Sequence, residues 1–208
     1  MSPRSRQISE EMRTRSRRAL IDAARKLFAE RGYHKTKVLD IARQAEMSQG
    51  NVYWYFSGKE ELLKAVLREG FESLGTAMSS AAKLSVSSLE KLDVLIDNVI
   101  SFGQESFEFN NIMLSVLGQG GDELFQDFGF DMTQIGLGYT KSVMEIMSQA
   151  QSEGVIAVDI APILLTMLFF GLFNGLNLTY GREWLELPVD QVKRAAKRMV
   201  GVKEDVIA

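Results

Sequence analysis

The 208-residue chain has no cysteine and a single histidine, His34. Disulfides and thiolate metal sites are therefore excluded. A histidine-dependent nucleophilic triad or a His–Cys metal centre has almost nothing to build on. Gly118-Gln119-Gly120-Gly121 lacks the GK[ST] ending of a phosphate-binding loop and reads as a plain loop. The expectation is a protein that is not an enzyme and uses neither cofactor nor metal. The arginine-rich N-terminus has no apolar core of a secretory signal, which favours a cytoplasmic protein. Apolar runs of membrane-spanning length are scarce too. Leu164 to Tyr180 covers 17 residues, at the short limit for a bilayer, and carries Asn174, Asn177 and Thr179. Its Gly171 and Gly175 form a spacing that lets helices approach closely. A helix buried on all sides, as in a subunit interface, is expected there instead of a membrane span.

Basic charge is unevenly placed. Residues 1–70 hold 15 Lys/Arg and 9 Asp/Glu, a net of +6, whereas the remainder is net −9. A basic third on an acidic body suits either a polyanion-binding head with a separate second function or a solvated basic surface.

Apolar spacing is helical almost throughout, and no period-2 pattern occurs, so the chain is expected to be all-α. Leu20, Ala23, Ala24, Leu27 and Phe28 share one face of a first helix, which Gly32 ends. Thr36 is expected to N-cap a second helix carrying Val38, Leu39, Ile41, Ala42 and Ala45. Ser48 caps a third, and Ser57 with Glu60 supplies a capping box for a fourth that begins near Lys59. Three short helices with a tight turn between the last two make a helix-turn-helix pattern. Residues before about Met12 are expected to be a disordered tail. Beyond residue 80 the helices lengthen. Ser87 and Glu90 form a second capping box, Asp159 with Pro162 opens the apolar helix, and Pro188 opens a last one. Domain boundaries of 12–58 and 59–208 follow.

The third helix poses a geometric problem, because Tyr53, Trp54, Tyr55 and Phe56 are consecutive. At about 100° per residue, four rings encircle a helix and no single core buries them all. Val52 and Phe56 are i,i+4 partners and form the anchoring face. Gly50, Tyr53 and Trp54 then point outward, with Gln49 and Asn51 near the N-terminal tip. Such residues can reach base edges, and Tyr53 can offer its ring to a thymine methyl or its hydroxyl to a phosphate. The alternative is that these rings pack beneath a partner surface. Lys59 is badly placed for its own helix dipole, and a phosphate there would explain it.

The stretch Gly32 to Leu63, GYHKTKVLDIARQAEMSQGNVYWYFSGKEELL, resembles the N-terminal DNA-binding domain of the TetR family of transcriptional regulators. The matching features are the glycine–aromatic end of helix one, Thr36, Ile41-Ala42, the Ser48–Tyr53 helix, Phe56, Lys59 and Glu61-Leu62. The resemblance extends weakly into residues 152–176. It implies a homodimer on a palindromic operator, with an N-terminal reading head and a C-terminal helical ligand-binding and dimerisation domain. Carried over by position, Gln49, Gly50, Asn51, Tyr53 and Trp54 meet DNA at the major groove, Thr36, Lys37, Tyr55 and Lys59 mainly meet the backbone, and Ser48 is a further DNA-binding position. Glu46 departs from the family, which usually has glycine in that turn. The arginines Arg4, Arg6, Arg13, Arg15, Arg17 and Arg18 form either an arm toward phosphates or minor groove, or a solubilising tail.

In the remainder, polar residues within apolar helices are the better ligand candidates, because each needs a partner. Asn98, Asn110, Gln134, Tyr139, Asn174 and Asn177 qualify, with Phe102, Phe109 and Phe170 as adaptable apolar lining. Asn174 and Asn177 serve equally well across a subunit interface. Only Lys83 and Lys91 are basic between Phe71 and Tyr139, which disfavours a phosphate-bearing effector. The acidic residues among the aromatics suit a small apolar, neutral or cationic effector, or form a solvated face. The reading is a ligand-responsive repressor that dimerises through the helices around 162–180 and 188–200. A helical small-molecule carrier and a DNA-binding protein without operator specificity are the alternatives.

Overall fold

The computed structural model describes residues 3–118 and 121–203, with side chains for residues 10–116, 118, 123 and 125–203. Among the described residues ten α-helices follow one another: α1 (Pro3–Arg31), α2 (Val38–Gln44), α3 (Gln49–Tyr55), α4 (Lys59–Ser79), α5 (Ser88–Glu105), α6 (Phe107–Leu117), α7 (Gly121–Asp127), α8 (Met132–Ser152), α9 (Pro162–Tyr180) and α10 (Val189–Met199). Short 3₁₀ turns occupy Ala81–Lys83 and Glu183–Glu186. Among the described residues there is no strand, only one isolated antiparallel bridge between Ile156 and Val202.

The chain forms two compact units, and they do not divide at residue 58. One comprises residues 1–70 with 108–128; the other comprises 71–107 with 129–208. The single helix α4 therefore contributes its first half to one unit and its second half to the other. The first unit is built around Leu20, Ala24, Leu27 and Phe28 of α1, Ile41 and Ala42 of α2, Val52 and Phe56, and Leu62, Leu63, Val66 and Leu67 of α4, all buried. Burying each leucine, isoleucine, valine or phenylalanine among them contributes on the order of 1.5–3 kcal/mol. Gly70 completes this unit: a Cβ there would sit 2.0 Å from the Phe109 ring of α6. The second unit packs Leu92, Leu95, Ile96 and Val99 of α5 against Val143, Ile146 and Met147 of α8, and against Leu165, Phe169 and Phe173 of α9. Lys193 and Lys197 of α10 pair with Asp93 and Asp97 of α5 at 2.7–2.8 Å.

Several local expectations are corrected. The segment before Met12 is helical from Pro3, where a proline at the first helical position has its φ already set and no N–H to satisfy. Thr36 does not cap α2. That position is held by Lys37, whose N–H donates to the Asp40 carboxylate at 3.2 Å. Ser57 and Glu60 do not form a box at α4; the Ser57 N–H donates to Glu61 instead, and that bond holds the Glu61 carboxyl below its ordinary pKa. Glu60 pairs with Lys64 one turn on. The cap of α9 is Ala161, with Pro162 following, and not Asp159. The second box does form: Ser87 Oγ accepts from the Glu90 N–H, and Glu90 accepts from the Ser87 N–H. Gly118 to Gly121 falls partly outside the described residues.

α9 is not buried on all sides within one chain. Leu165, Thr166, Phe169 and Phe173 face the core, whereas Leu164, Met167, Leu168, Gly171, Asn174, Gly175 and Leu178 are exposed. By length and composition α9 could cross a membrane. Its split into a core face and an open face is that of a packing helix whose open face is mostly apolar and small residues.

Candidate nucleic-acid interface

The helix-turn-helix is assembled from α1, α2 and α3 with the start of α4. Ser48 caps α3, its Oγ accepting from the Asn51 N–H at 3.2 Å. Val52 and Phe56 are buried at 0% and 1% exposure, and they fix the rotation of α3 about its axis. That rotation leaves Gln49, Gly50, Asn51, Tyr53 and Trp54 exposed on one surface. Tyr53 is 52% and Trp54 60% exposed, a large aromatic area to leave in water. Tyr55 is half-buried, its ring edge-on to Trp54 at a centroid distance of 4.6 Å.

The turn between α2 and α3 contains Glu46 at φ 57°, the one non-glycine with positive φ among the described residues. The left-handed conformation lets the Met47 N–H return to the Ala42 carbonyl at 2.8 Å. For glutamate it costs about 1–2 kcal/mol, so the turn is held under strain.

Two of the expected backbone contacts sit differently. Thr36 is buried, its hydroxyl 2.8 Å from the Gly32 carbonyl and 3.2 Å from that of Leu27. It ties the end of α1 to the loop before α2, and its side chain is not open to a phosphate. Lys59 does not stand free either. Its Nζ donates to the carbonyls of Tyr33 (2.8 Å) and His34 (3.3 Å) and lies 4.3 Å from the Tyr33 ring centroid. Its position at a helix N-terminus is thus explained within the fold, by the carbonyls just past α1 that it bonds. Burial lowers the pKa of Lys59, and burial together with the Glu60 charge raises that of Tyr33. Lys37 is exposed.

The arginines of α1 divide into two groups that sequence alone did not distinguish. Arg18 and Arg25 meet at Glu69 of α4, at 3.0 and 2.8 Å, and each also pairs with Asp22. Their separation of seven residues, two helical turns, was the available signal; the partner 51 residues away left none. Arg13 and Arg17 instead lie over rings, 5.0 Å from the centroids of Trp54 and Phe56. The side chains of Arg4 and Arg6 lie outside those described.

The ligand candidates are dispersed. Asn98 donates to the Ala77 carbonyl and Ser80 Oγ, and Asn177 accepts from the Trp184 indole at 2.8 Å, so both are structural. Gln134 is exposed in the first turn of α8, and Asn174 lies on the open face of α9. Phe102 and Phe109 are buried and Phe170 half-buried. Tyr139 is half-buried and donates to the Phe71 carbonyl at 2.9 Å; burial pushes its pKa up to about 12. Asn110 Nδ2 is buried without a hydrogen-bond partner.

Residues 20–66 match the sequence pattern of bacterial regulatory proteins of the tetR family. Over 161 residues the chain is 28% identical to the fatty acid metabolism regulator protein of Bacillus subtilis (strain 168), covering 77% of this chain and 81% of that one. It is 27% identical to the HTH-type transcriptional repressor DhaR of Mycobacterium sp. (strain GP1), covering 86% and 89%. The fold is shared with the regulator FadR of Bacillus subtilis, solved in complex with stearoyl-CoA, at a TM-score of 0.68 and 24% identity, covering 88% and 96% of the two chains. With its helix-turn-helix and a second helical unit, this chain carries at residues 20–66 the DNA-binding domain of the tetR family of bacterial regulatory proteins.

Proposed function

We propose that the protein is a homodimeric repressor that reads a palindromic operator through the exposed face of α3 and leaves it when a small lipophilic effector binds. The observation that carries this reading is the face of α3 itself. Gln49, Gly50, Asn51, Tyr53 and Trp54 stand in solvent while Val52 and Phe56 hold the helix rigidly. Short amide side chains at the helix tip suit base edges, and Tyr53 suits a thymine methyl or a phosphate. Ser48, Lys37 and Tyr55 border that face and reach the backbone. A role on chromosomal DNA supports a cytoplasmic protein.

Dimerisation through α9 is supported by its open stripe of Leu164, Met167, Leu168 and Leu178, with Gly171 and Gly175 permitting close approach. The exposed side of α10, with Val189 and Ala195, extends it. A twofold pair brings two reading heads to half-sites about 34 Å apart, one turn of DNA. The domains are best drawn as a reading head that includes the first half of α4 and an effector domain that includes its second half. An effector that favours one conformer of α4 shifts the population away from the DNA-competent spacing. Repression is supported by the name of the DhaR relative, and an acyl-type effector by the stearoyl-CoA complex of the shared fold. Lys91 is already engaged by the Ala82 carbonyl and Gln149, which leaves a phosphate few cations and favours the uncharged part of such a ligand. Within the second unit, Phe102, Tyr139 and Phe170 are the first side chains to vary in testing the effector site.

The test uses duplexes selected by the protein from a random pool. Tyr53→Ala is expected to keep the melting temperature and lose discrimination, which for wild type is at least about 10³ over random DNA. Phe56→Ala is expected to cost roughly 3–5 kcal/mol of stability. Equal wild-type affinity for selected and random duplexes would eliminate the reading. Release by a fatty acid or an uncharged lipophile, but not by stearoyl-CoA, would separate the effector classes.

A further inference from the structure

α3, with the sequence QGNVYWY, carries no lysine or arginine. A helix entering the groove between two phosphate backbones without a cation of its own is unusual in its electrostatics, since phosphate neutralisation supplies much of the affinity. The α1 helix supplies the missing charge. The Arg13 guanidinium lies 5.0 Å from the centroid of the Trp54 ring, on the exposed side of α3. Both residues are exposed, so this pairing is not forced by burial. A cation held over a ring needs none of its N–H groups for that contact, so the guanidinium's five donors remain available to a phosphate. Among the described residues no carboxylate pairs with Arg13, whereas Arg18 and Arg25 are neutralised by Asp22 and Glu69.

We infer that Arg13 is a DNA phosphate-binding residue, positioned by the Trp54 indole, and that the two side chains act as one contact at the edge of the groove read by α3. This rests on the reading of α3 as the recognition helix. Trp54 then has a role its chemistry alone does not suggest: it is a platform that pre-orders a cation before DNA arrives, so the arginine's rotamer freedom is not lost on binding.

The experiment measures affinity of the full chain for a duplex that wild type has selected from a random pool, across a series of salt concentrations. Arg13→Gln is expected to weaken binding by about tenfold or more and to flatten the plot of log affinity against log salt by about 0.9 per bound protomer. Trp54→Ala removes no charge, yet it is expected to flatten the same plot by a comparable amount. The double variant is expected to have the slope of either single one. Thermal melts of all three should match wild type, since both side chains are exposed. An Arg13→Gln variant with wild-type slope overturns the proposal and leaves the α3 reading intact. A wild-type slope in Trp54→Ala, alongside a flattened one in Arg13→Gln, overturns the platform. If wild type selects no duplex, the recognition-helix reading and this proposal fall together.

Discussion

Thr36 and Lys59 show that a hydrogen-bonding residue beside a candidate DNA surface can already be engaged within the fold. Each is a hydrogen-bond donor beside a candidate DNA surface, but both donate to carbonyls at the end of α1. Thr36→Val keeps the shape and removes the donor. It is expected to cost about 1–2 kcal/mol in urea denaturation while operator affinity per folded molecule stays at the wild-type value. A loss of affinity without loss of stability would return Thr36 to the DNA surface. Glu46 makes the opposite case, because the glutamate that stands where the family usually has glycine does adopt the left-handed conformation, at φ 57°. Glu46→Gly is expected to stabilise the protein by roughly 0.5–1 kcal/mol, the relief of a left-handed glutamate less the added chain entropy of glycine. The midpoint of denaturation reports it directly. The facing of α3 was legible because i,i+4 geometry decides it; Arg13 on Trp54 was not, because no local rule brings residues 41 positions apart together.

Among the elements, the helices were legible from periodicity and their ends much less so. The Ser87–Glu90 box formed as its spacing requires, but the similar Ser57–Glu60 pattern gave way to Glu61, which reaches the same N–H from one residue further on. Capping is a competition among neighbouring carboxylates, and spacing alone does not name the winner. α4 and α8 are joined within the second unit by Tyr139, whose hydroxyl donates to the Phe71 carbonyl while its ring lies 3.3 Å from where a Cβ on Gly75 would be. Its pKa stands above the ordinary 10.0, at about 12, through burial. The neutral phenol is thus favoured in the folded state. Its stabilising contribution is complete below pH 10 and declines as the unfolded chain alone ionises, until it is gone near pH 12. The stability difference between wild type and Tyr139→Phe is expected to shrink through that window, as urea melts at successive pH values would record. A difference independent of pH would mean that the hydroxyl is ordinary in its environment.

At the scale of the molecule, the charge asymmetry and the all-helical pattern were visible in the sequence, and the open face of α9 was not. Apolar residues all round a helix look alike in sequence whether they meet a core or a partner. Leu168→Glu places a charge on the exposed side, 45% accessible in one chain, and leaves Phe169 in the core. It is expected to give a folded monomer by sedimentation and to lose operator binding by at least the avidity of the second reading head, on the order of a hundredfold. A variant that remains dimeric would move the interface off α9. The contact between Gly70 and Phe109 has a consequence of another kind. A Cβ at position 70 has no room while residue 109 is a phenylalanine, so position 70 is not free to change alone. In sequences descended from a common ancestor with this one, a side chain at 70 should be found together with a smaller residue at 109. The two positions would then carry a shared history, readable without any measurement on the protein itself.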